Sequence, residues 1–527
     1  MKNFDFKIFR NNLKEKILNS PEEERRNILK KAKQTEEYKE AEKQFLNELP
    51  IQRFEKRIKE VILKNDSCII VGATGSGKTT EIPGYLLDVL QGKVLVTQPR
   101  PLAASSICKY VAAKRNALVG QEIGYQIRFD NHTTEGTRLN FITDGIFLRI
   151  VQSNPLLEGY SAVMIDEAHE RSQNIDFSLG LLKEVQAKRK EKGLLSLKII
   201  VSSATIEKDK FSQYFNSPSL EIPGRLYPVQ ISYEQINPEL KEIPFLAAKQ
   251  VQNILEKNSQ GDILIFMPGE QEISETIKEI NNQIVNKENI EILPLYGQMD
   301  PESQNRIFLK NGKRKIIVST NIAETSLTIP GIVYVIDSCL IKQMQYYPDK
   351  GIQSLEVIPH SQSGLTQRAG RAGRIQPGFC HRLCSEKNFN NLVKFSTPEI
   401  IRSNLANVVL AMKNLKISPE NFDFIDKPES KNIQEAMATL TAIGALDQDG
   451  NITKEGKIMN ELPLEPHLGR ILVESEKYNN TDTMVTIASF LSGKNVFVRP
   501  KEKASQADEK HKQFKNSSSD FLTFLNI

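Results

Sequence analysis

The sequence predicts an α/β protein of two tandem sheet lobes followed by a helical module. Three observations predict it. Residues 47–225, and again residues 226–385, alternate short apolar runs with helix-compatible stretches, the pattern of a parallel sheet covered by helices. The first cycle carries Gly72-Ala73-Thr74-Gly75-Ser76-Gly77-Lys78-Thr79, and the second has no counterpart to it. Beyond residue 386 the apolar spacing turns helical, as in residues 400–415 and 433–446. A chain of 527 residues, 39% of them hydrophobic, has room for about two to four domains with proper cores.

In chain order, residues 1–46 are rich in charge and poor in apolar side chains. Ser20-Pro21-Glu22-Glu23-Glu24 reads as an N-cap, a first-turn proline and acids matched to the helix dipole. Helices are expected there, in a solvated charged leader or a partner-binding arm. Apolar Cys68-Ile69-Ile70-Val71 predicts a buried strand that runs into the glycine-rich stretch, and a helix follows. Glycine lets the backbone N–H groups turn inward on a phosphate chain, and the helix N-terminus adds its positive end. Gly75, Ser76, Gly77 and Thr80 belong to this cradle. Lys78 reaches the β- and γ-phosphates, and the Thr79 hydroxyl suits Mg²⁺.

Val94-Leu95-Val96, the run from Ala162 to Ile165, and Ile199-Ile200-Val201 are the next strands. Ligands of such sheets sit at the carboxyl ends of the strands, where Asp166 and Glu167 stand. Asp166 suits the Mg²⁺ shell. Glu167 suits that shell or the attacking water. Pro223-Gly224-Arg225 marks the break between the lobes. The second lobe is expected to use strands Ile263-Leu264-Ile265-Phe266, Ile316-Ile317-Val318 and Val333-Tyr334-Val335-Ile336. Asp447-Gln448-Asp449-Gly450 is a turn.

With Asp166-Glu167-Ala168-His169, Ser203-Ala204-Thr205 and Gln367-Arg368-Ala369-Gly370-Arg371-Ala372-Gly373-Arg374 in this order, the chain resembles the DEAH/RHA family of superfamily 2 RNA helicases. The resemblance runs from about residue 49 to the end. It implies two RecA-like domains, a winged helix over residues 386–453 and a helical ratchet-like domain over residues 454–527. Residues 495–503 are similar to that last domain in splicing members. The family usually continues into an OB-fold, which is expected to be absent because the sequence ends at Ile527.

The same resemblance assigns roles. Guanidinium forks match phosphate oxygens, and the interleaved glycines permit close approach. Arg371 and Arg374 are the expected arginine fingers, presented by lobe two to a nucleotide on lobe one. Gln367 is expected to position the γ-phosphate or water. His169, Ser203 and Thr205 are expected to couple the nucleotide site to lobe motion. Arg100, Arg128, Thr143 and Thr320 are expected RNA backbone contacts, which carry no sequence information. Residues 342–359 are expected to form a strand-separating hairpin. ATP, or NTPs more broadly, with Mg²⁺ are the implied substrate and cofactor. Single-stranded RNA or an RNA–protein complex is the implied partner, with a protein activator beside it.

Some positions depart from the family pattern. Pro101 replaces an arginine, Ala73 a glutamate, and Gln362 stands where a basic RNA contact is common. Tyr110 and Leu340 fall where other members sandwich the base, so aromatic stacking is expected from one side only.

Net charge is +5, from 70 basic and 65 acidic residues. That is no polycation, so nucleic-acid affinity requires a local basic channel. Five scattered cysteines point to reduced thiols. Cys380-His381-x-x-Cys384 offers only half of a zinc site. No apolar run reaches the roughly 20 residues of a membrane span, and Met1-Lys2-Asn3-Phe4-Asp5-Phe6 lacks a signal-peptide core. An intracellular monomer, nuclear or cytoplasmic, is expected. Two rival readings share these features: a nucleotide-gated RNA clamp with little turnover, and a DNA helicase.

Overall fold

The computed structural model describes residues 49–527, except 74, 206, 225–226, 258–259, 285–287, 298, 300, 310, 326–328, 348–351, 375, 494–495, 498 and 500–503. The charged segment 1–46 and its expected helices lie outside the described residues.

Lobe one contains β1 (Ser67–Gly72), β2 (Lys93–Gln98), β3 (Ile123–Ile127), β4 (Asp130–His132), β5 (Leu139–Thr143), β6 (Tyr160–Ile165), β7 (Lys198–Ser203) and β8 (Ser219–Ile222). They form one sheet in the order β4-β3-β5-β2-β6-β7-β1-β8, parallel except for the β3–β4 pair. Central strands covered on both faces must be apolar throughout. Ile69, Val163, Met164 and Val201 are accordingly inaccessible to solvent. Because β6, β7 and β1 are adjacent and parallel, their carboxyl ends deliver three loops to one edge. These loops are the phosphate loop, Asp166-Glu167 and Ser203-Ala204-Thr205.

Lobe two contains β9 (Val229–Tyr233), β10 (Asp262–Phe266), β11 (Ile290–Leu295), β12 (Arg314–Ser319), β13 (Ile332–Asp337), the hairpin β14 (Leu340–Tyr347) and β15 (Ile352–Pro359), and β16 (Gly378–Arg382). Six of these make a parallel sheet ordered β11-β12-β10-β13-β16-β9, while β14 and β15 pair only with each other. The hairpin is pinned at two points. Arg402 Nη1 donates to Met344 O at 2.9 Å, and Tyr346 OH to Glu435 Oε2 at 3.3 Å.

The helical module departs from the periodicity reading at one point. Residues 400–415 are not one helix but two, Glu399–Arg402 and Ala406–Asn414. Asn404 makes the break. Its Oδ1 accepts from Ala406 N at 2.8 Å, and its carbonyl accepts from Gln173 Nε2 of lobe one at 3.0 Å. An asparagine that bonds its own backbone competes with the helix. The helix Ser430–Ala442 precedes a small wing, in which Leu446 pairs with Ile452. The Asp447 carboxylate takes the amides of Asp449 and Asn451 at 3.0 and 2.8 Å to close the turn between them. Helices Pro466–Ser475, Thr481–Ser492, Ala504–Lys512 and Asp520–Asn526 follow.

Lobe one and the winged helix share a core. Phe177, Leu182 and Val201 belong to the same buried cluster as Val409, Met412, Phe422 and Leu440. Lobe two keeps separate clusters. The seam is tight at Gly180, inside the helix Gln173–Glu191. A Cβ there would lie 2.4 Å from two ring atoms of Phe422 and 3.1 Å from the Asp423 carbonyl. On an open helix, glycine to alanine gains about 1 kcal/mol. Here overpacking reverses the sign, and Gly180→Ala is expected to cost about 1–3 kcal/mol, read as a lower denaturation midpoint. A raised midpoint would mean that the winged helix rides loosely on lobe one.

Candidate active site between the lobes

The phosphate loop turns where glycine is required. Gly75 and Gly77 take φ of +81° and +97°, a region that side-chain-bearing residues avoid. A Cβ on Gly77 would also meet Ile51 at 2.9 Å and Leu49 at 3.0 Å. Lys78 opens the helix Lys78–Val89. Its ammonium folds back on the loop, donating to the carbonyls of Gly72 and, at 3.2 Å, Ala73. Burial lowers its pKa, against the pull of Glu167 and Asp166.

Asp166 is fully buried. Its Oδ2 accepts from Thr79 Oγ1 at 2.6 Å and from Gln98 Nε2 at 2.7 Å. Its Oδ1 has no hydrogen-bond partner among the described residues. A buried carboxyl oxygen left without a hydrogen bond calls for a partner such as a cation. Thr79 and Asp166 are hard oxygen donors of the kind Mg²⁺ takes, so this pair fits the expected ion. Glu167 stands in the left-handed region at φ +52°, which turns it away from the line of β6. Its carboxyl is pushed up to about 8 by burial and then by Asp166, with Lys78 opposing. His169 Nδ1 lies 3.4 Å from Glu167 Oε2, and burial followed by Lys78 holds its pKa down at about 4.

Lobe two brings the opposing charges. Arg374 shares a cavity of about 550 Å³ with Gly75, Gly77, Lys78, Thr79, Thr80, Glu167 and Tyr110. Arg371 is buried and donates to the Glu324 carbonyl. Its pKa falls to about 9 through burial and then the repulsion of Arg374. Arg374 falls to about 10 through burial, with Glu167 pulling the other way. Lys78 and Arg374 line this cavity and Arg371 stands close by, all three held below their normal pKa by burial, and a polyanion bound there would favour their charged forms.

The lobes also touch directly. Gln367 Nε2 donates to Thr205 Oγ1 across the junction, and within lobe one Ser203 Oγ donates to the Thr205 carbonyl at 3.2 Å. Gln367, Thr205 and His169 line a second cavity, of about 200 Å³, at the junction of both lobes and the winged helix. A third cavity, of about 710 Å³, runs between lobe one and the helical module, lined by Arg128, Thr143, Arg149, Asn407 and Asn460 among others. Arg128 and Arg149 span it to the carbonyls of Pro463 and Glu461, each at 3.2 Å.

Four positions singled out in the sequence lie away from the cavities their motifs suggest or serve other contacts here. Leu340 lines none of these three cavities. It begins β14, packs on the lobe-two core and gives its carbonyl to Arg368 at 3.1 Å. Tyr110 lines the interlobe cavity without Leu340 beside it. Arg100 is not in the Arg128 groove. It pairs with Glu170 at 3.5 Å and lines the two cavities nearest the box, because the chain turns there from β2 into the helix Pro101–Lys114. Thr320 lines none of the three cavities either, and its amide donates to Leu295 O at 3.1 Å. Gln362 ties the carbonyls of Phe389, Asn390 and Leu392, a structural duty.

Other residues carry weight that sequence reasoning missed. Gln98 holds Asp166, and its only cue was its place at the end of β2. Arg368 is wholly buried, bonded to Glu324 and Asp337 at 2.9 Å each. Burial would raise Glu324, but His360 and Arg368 outweigh it and hold its carboxyl at about 2. Arginines spaced i, i+3 and i+6 with glycines between look alike in sequence. Only the buried carboxylates tell the structural one from the other two. Cys380 and Cys384 are buried, His381 bonds Ser232 and Glu234 at 2.8 and 3.0 Å, and no group of three metal-ligating side chains is found among the described residues.

A phosphate loop and two acids on one lobe, with two arginines from the other, define a two-lobed P-loop architecture of the helicase class. Four domain families match the chain in order: DEAD/DEAH box helicase over residues 52–213, helicase conserved C-terminal domain over 247–376, the winged-helix part of the helicase-associated domain HA2 over 436–464, and its ratchet-like part over 465–524. The chain belongs to the DEAH-box helicases that carry the HA2 module. It is 39% identical over 499 residues to the ATP-dependent RNA helicase HrpA of Escherichia coli K12, a match that covers 92% of this chain and 38% of that protein. Two crystal structures of the E. coli protein HrpB, titled DExH-box NTPase and DEAH/RHA helicase, superpose with a TM-score of 0.77 at 29% identity. Each covers 88% of this chain and 58% or 60% of the other. The chain thus spans well under two thirds of the length of these relatives. They are bacterial, and the leaning of residues 495–503 toward splicing members finds no support in them.

Proposed function

We propose that this protein is an RNA-dependent NTP hydrolase that uses ATP, or other NTPs more loosely, to step along single-stranded RNA from 3′ to 5′ and remodel RNA or RNA–protein complexes. The observation that carries the reading is Arg374 lining one interlobe cavity with Lys78 and Glu167, with Arg371 near enough to interact with both Glu167 and Arg374. Mg²⁺ bound by Thr79 and Asp166 would neutralise phosphate charge. Lys78 and the loop amides hold the phosphate tail. Glu167 takes the proton of the attacking water as general base. Arg371 and Arg374 stabilise charge that develops on the γ-phosphoryl group. They can do so only when the lobes are closed, so hydrolysis and lobe geometry are linked, with Gln367–Thr205 as the contact that reports closure.

RNA fits the third cavity, where Arg128, Thr143 and Arg149 offer backbone contacts that give salt-dependent, sequence-tolerant binding. The one-sided base site at Tyr110 supports loose base selection. No helix among the described residues is long and apolar enough to cross a membrane, and the E. coli relatives favour the cytoplasm over the nucleus. RNA-stimulated ATP hydrolysis by this chain is the test, with single-stranded DNA as competitor to probe the 2′-OH. Stimulation by RNA with weak competition from DNA supports the reading. Nucleotide binding without turnover would point to a clamp instead.

A further inference from the structure

We infer that Asp426 of the winged helix is a positioning residue for hydrolysis: a single carboxylate that ties the tail of the DEAH box to the tail of Ser203-Ala204-Thr205. The inference rests on reading the site as an ATPase.

Arg171 follows the box by two residues and turns with φ +47°. Its Nη2 donates to Asp426 Oδ2 at 2.6 Å, while Nε and Nη2 hold Asp176 at 2.6 and 2.9 Å. Lys210 lies on the helix Lys208–Phe215, which opens just after Thr205, and its ammonium donates to the other oxygen, Asp426 Oδ1. One oxygen of Asp426 therefore serves each segment. The same helix places the Phe211 ring 5.5 Å from the Arg171 guanidinium. Arg171 and Lys210 face Asp176 and Asp426, with Glu207 at the half-exposed edge 3.4 Å from Lys210, and removing Asp426 leaves Arg171 short of one of its two carboxylates.

A second tie comes from the same module. Glu399 N donates to the Arg171 carbonyl at 2.9 Å, and Gln173 N to Glu399 Oε2 at 3.1 Å. Arg171 and Thr205 line the junction cavity together with Gln367. The spacing between the box and the residue that Gln367 grips is thus set from the winged helix. Because that module also walls the Arg128 groove, a shift of the module on RNA would reach both loops at once. A simple clamp would not need this geometry. Asp423, three residues upstream, supplies one by pairing with Lys183 at 2.6 Å on the surface.

The test is steady-state ATPase of the full chain with saturating RNA, alongside thermal denaturation. Asp426→Asn is expected to lower kcat by about tenfold, because sub-ångström misplacement of catalytic groups is enough for such losses, with the KM for ATP within about twofold. Asp426→Glu recovers most of the loss. Lys210→Met lowers kcat by a few-fold, and the double variant is no worse than Asp426→Asn alone, since both act through one carboxylate. Asp423→Asn keeps the original kcat whatever it does to stability. The inference is overturned if Asp426→Asn retains kcat within about twofold, if Asp423→Asn loses as much, or if the two losses multiply. Should Asp426→Asn fail to fold, Lys210→Met decides alone, because that side chain is half-exposed. If the unaltered chain shows no hydrolysis, the ATPase reading itself falls and takes this role with it.

Discussion

Replacing Glu167 by glutamine is expected to leave nucleotide binding intact and to lower turnover by about 10³-fold, within the range for loss of a general base. The substitution changes one oxygen to NH₂ and keeps the volume. The phosphate cradle is untouched, because Lys78 anchors to Gly72 and Ala73, and Asp166 is held by Thr79 and Gln98 rather than by Glu167. What disappears is the carboxylate that follows Asp166 at the end of β6 and lines the cavity shared with Arg374; Glu170, which also lines it, is paired with Arg100. His169 cannot substitute, since burial keeps it a poor base at about 4. Binding of a fluorescent nucleotide and single-turnover hydrolysis separate the two effects. Turnover within about tenfold of the unaltered protein would remove Glu167 from the role of base. Loss of binding would mean that its charge, not its basicity, is what the site uses.

What could be read from the sequence follows physical rules that differ between elements. The strands were legible because a strand buried on both faces has no choice but continuous apolar residues, as in β1, β6 and β7. The phosphate loop was legible because Gly75 and Gly77 sit at backbone angles that other residues resist. The box acids were legible by their place at a strand end. The break at residues 403–405 was not, because apolar spacing continues across it and only the two bonds of Asn404 reveal it. The fusion of the winged helix with lobe one was hidden for a similar reason. Periodicity covers residues 400–415 and 433–446 and says nothing of Phe422 between them, which is buried against Gly180. The expected ligands Leu340, Arg100 and Thr320 were placed by motif alignment, which fixes neighbours along the chain and leaves open which wall of which cavity they reach. The sorting of Arg368 from Arg371 and Arg374 required partners far away in sequence, Glu324 and Asp337.

That sorting sets the second large effect. Arg371→Ala is expected to lower kcat by about 10³-fold, the lower end of what an arginine finger contributes, with the KM for ATP changed only a few-fold. Ground-state binding rests mainly on lobe one, whereas charge develops on the transferred group only in the transition state, and interactions made only there appear in kcat. The fold should survive, because the buried ion-pair network of lobe two runs through Arg368 and not through Arg371. Arg371 donates there to the Glu324 carbonyl. Arg371→Lys is expected to recover little. A lysine carries the charge but not the planar fork that meets two phosphate oxygens, and it would have to desolvate a compact ammonium in a cleft that already depresses cations. Arg368→Ala gives the opposite signature: lost stability, as expected when a buried ion pair is broken, with the kinetics of any folded fraction following from misplaced neighbours. Measuring kcat, KM and melting temperature for the three variants distinguishes these outcomes. An Arg371→Ala protein with normal kcat would show that the positive charge lobe two presents to the cleft serves only to bind the nucleotide, and the coupling of hydrolysis to lobe closure would lose its chemical basis.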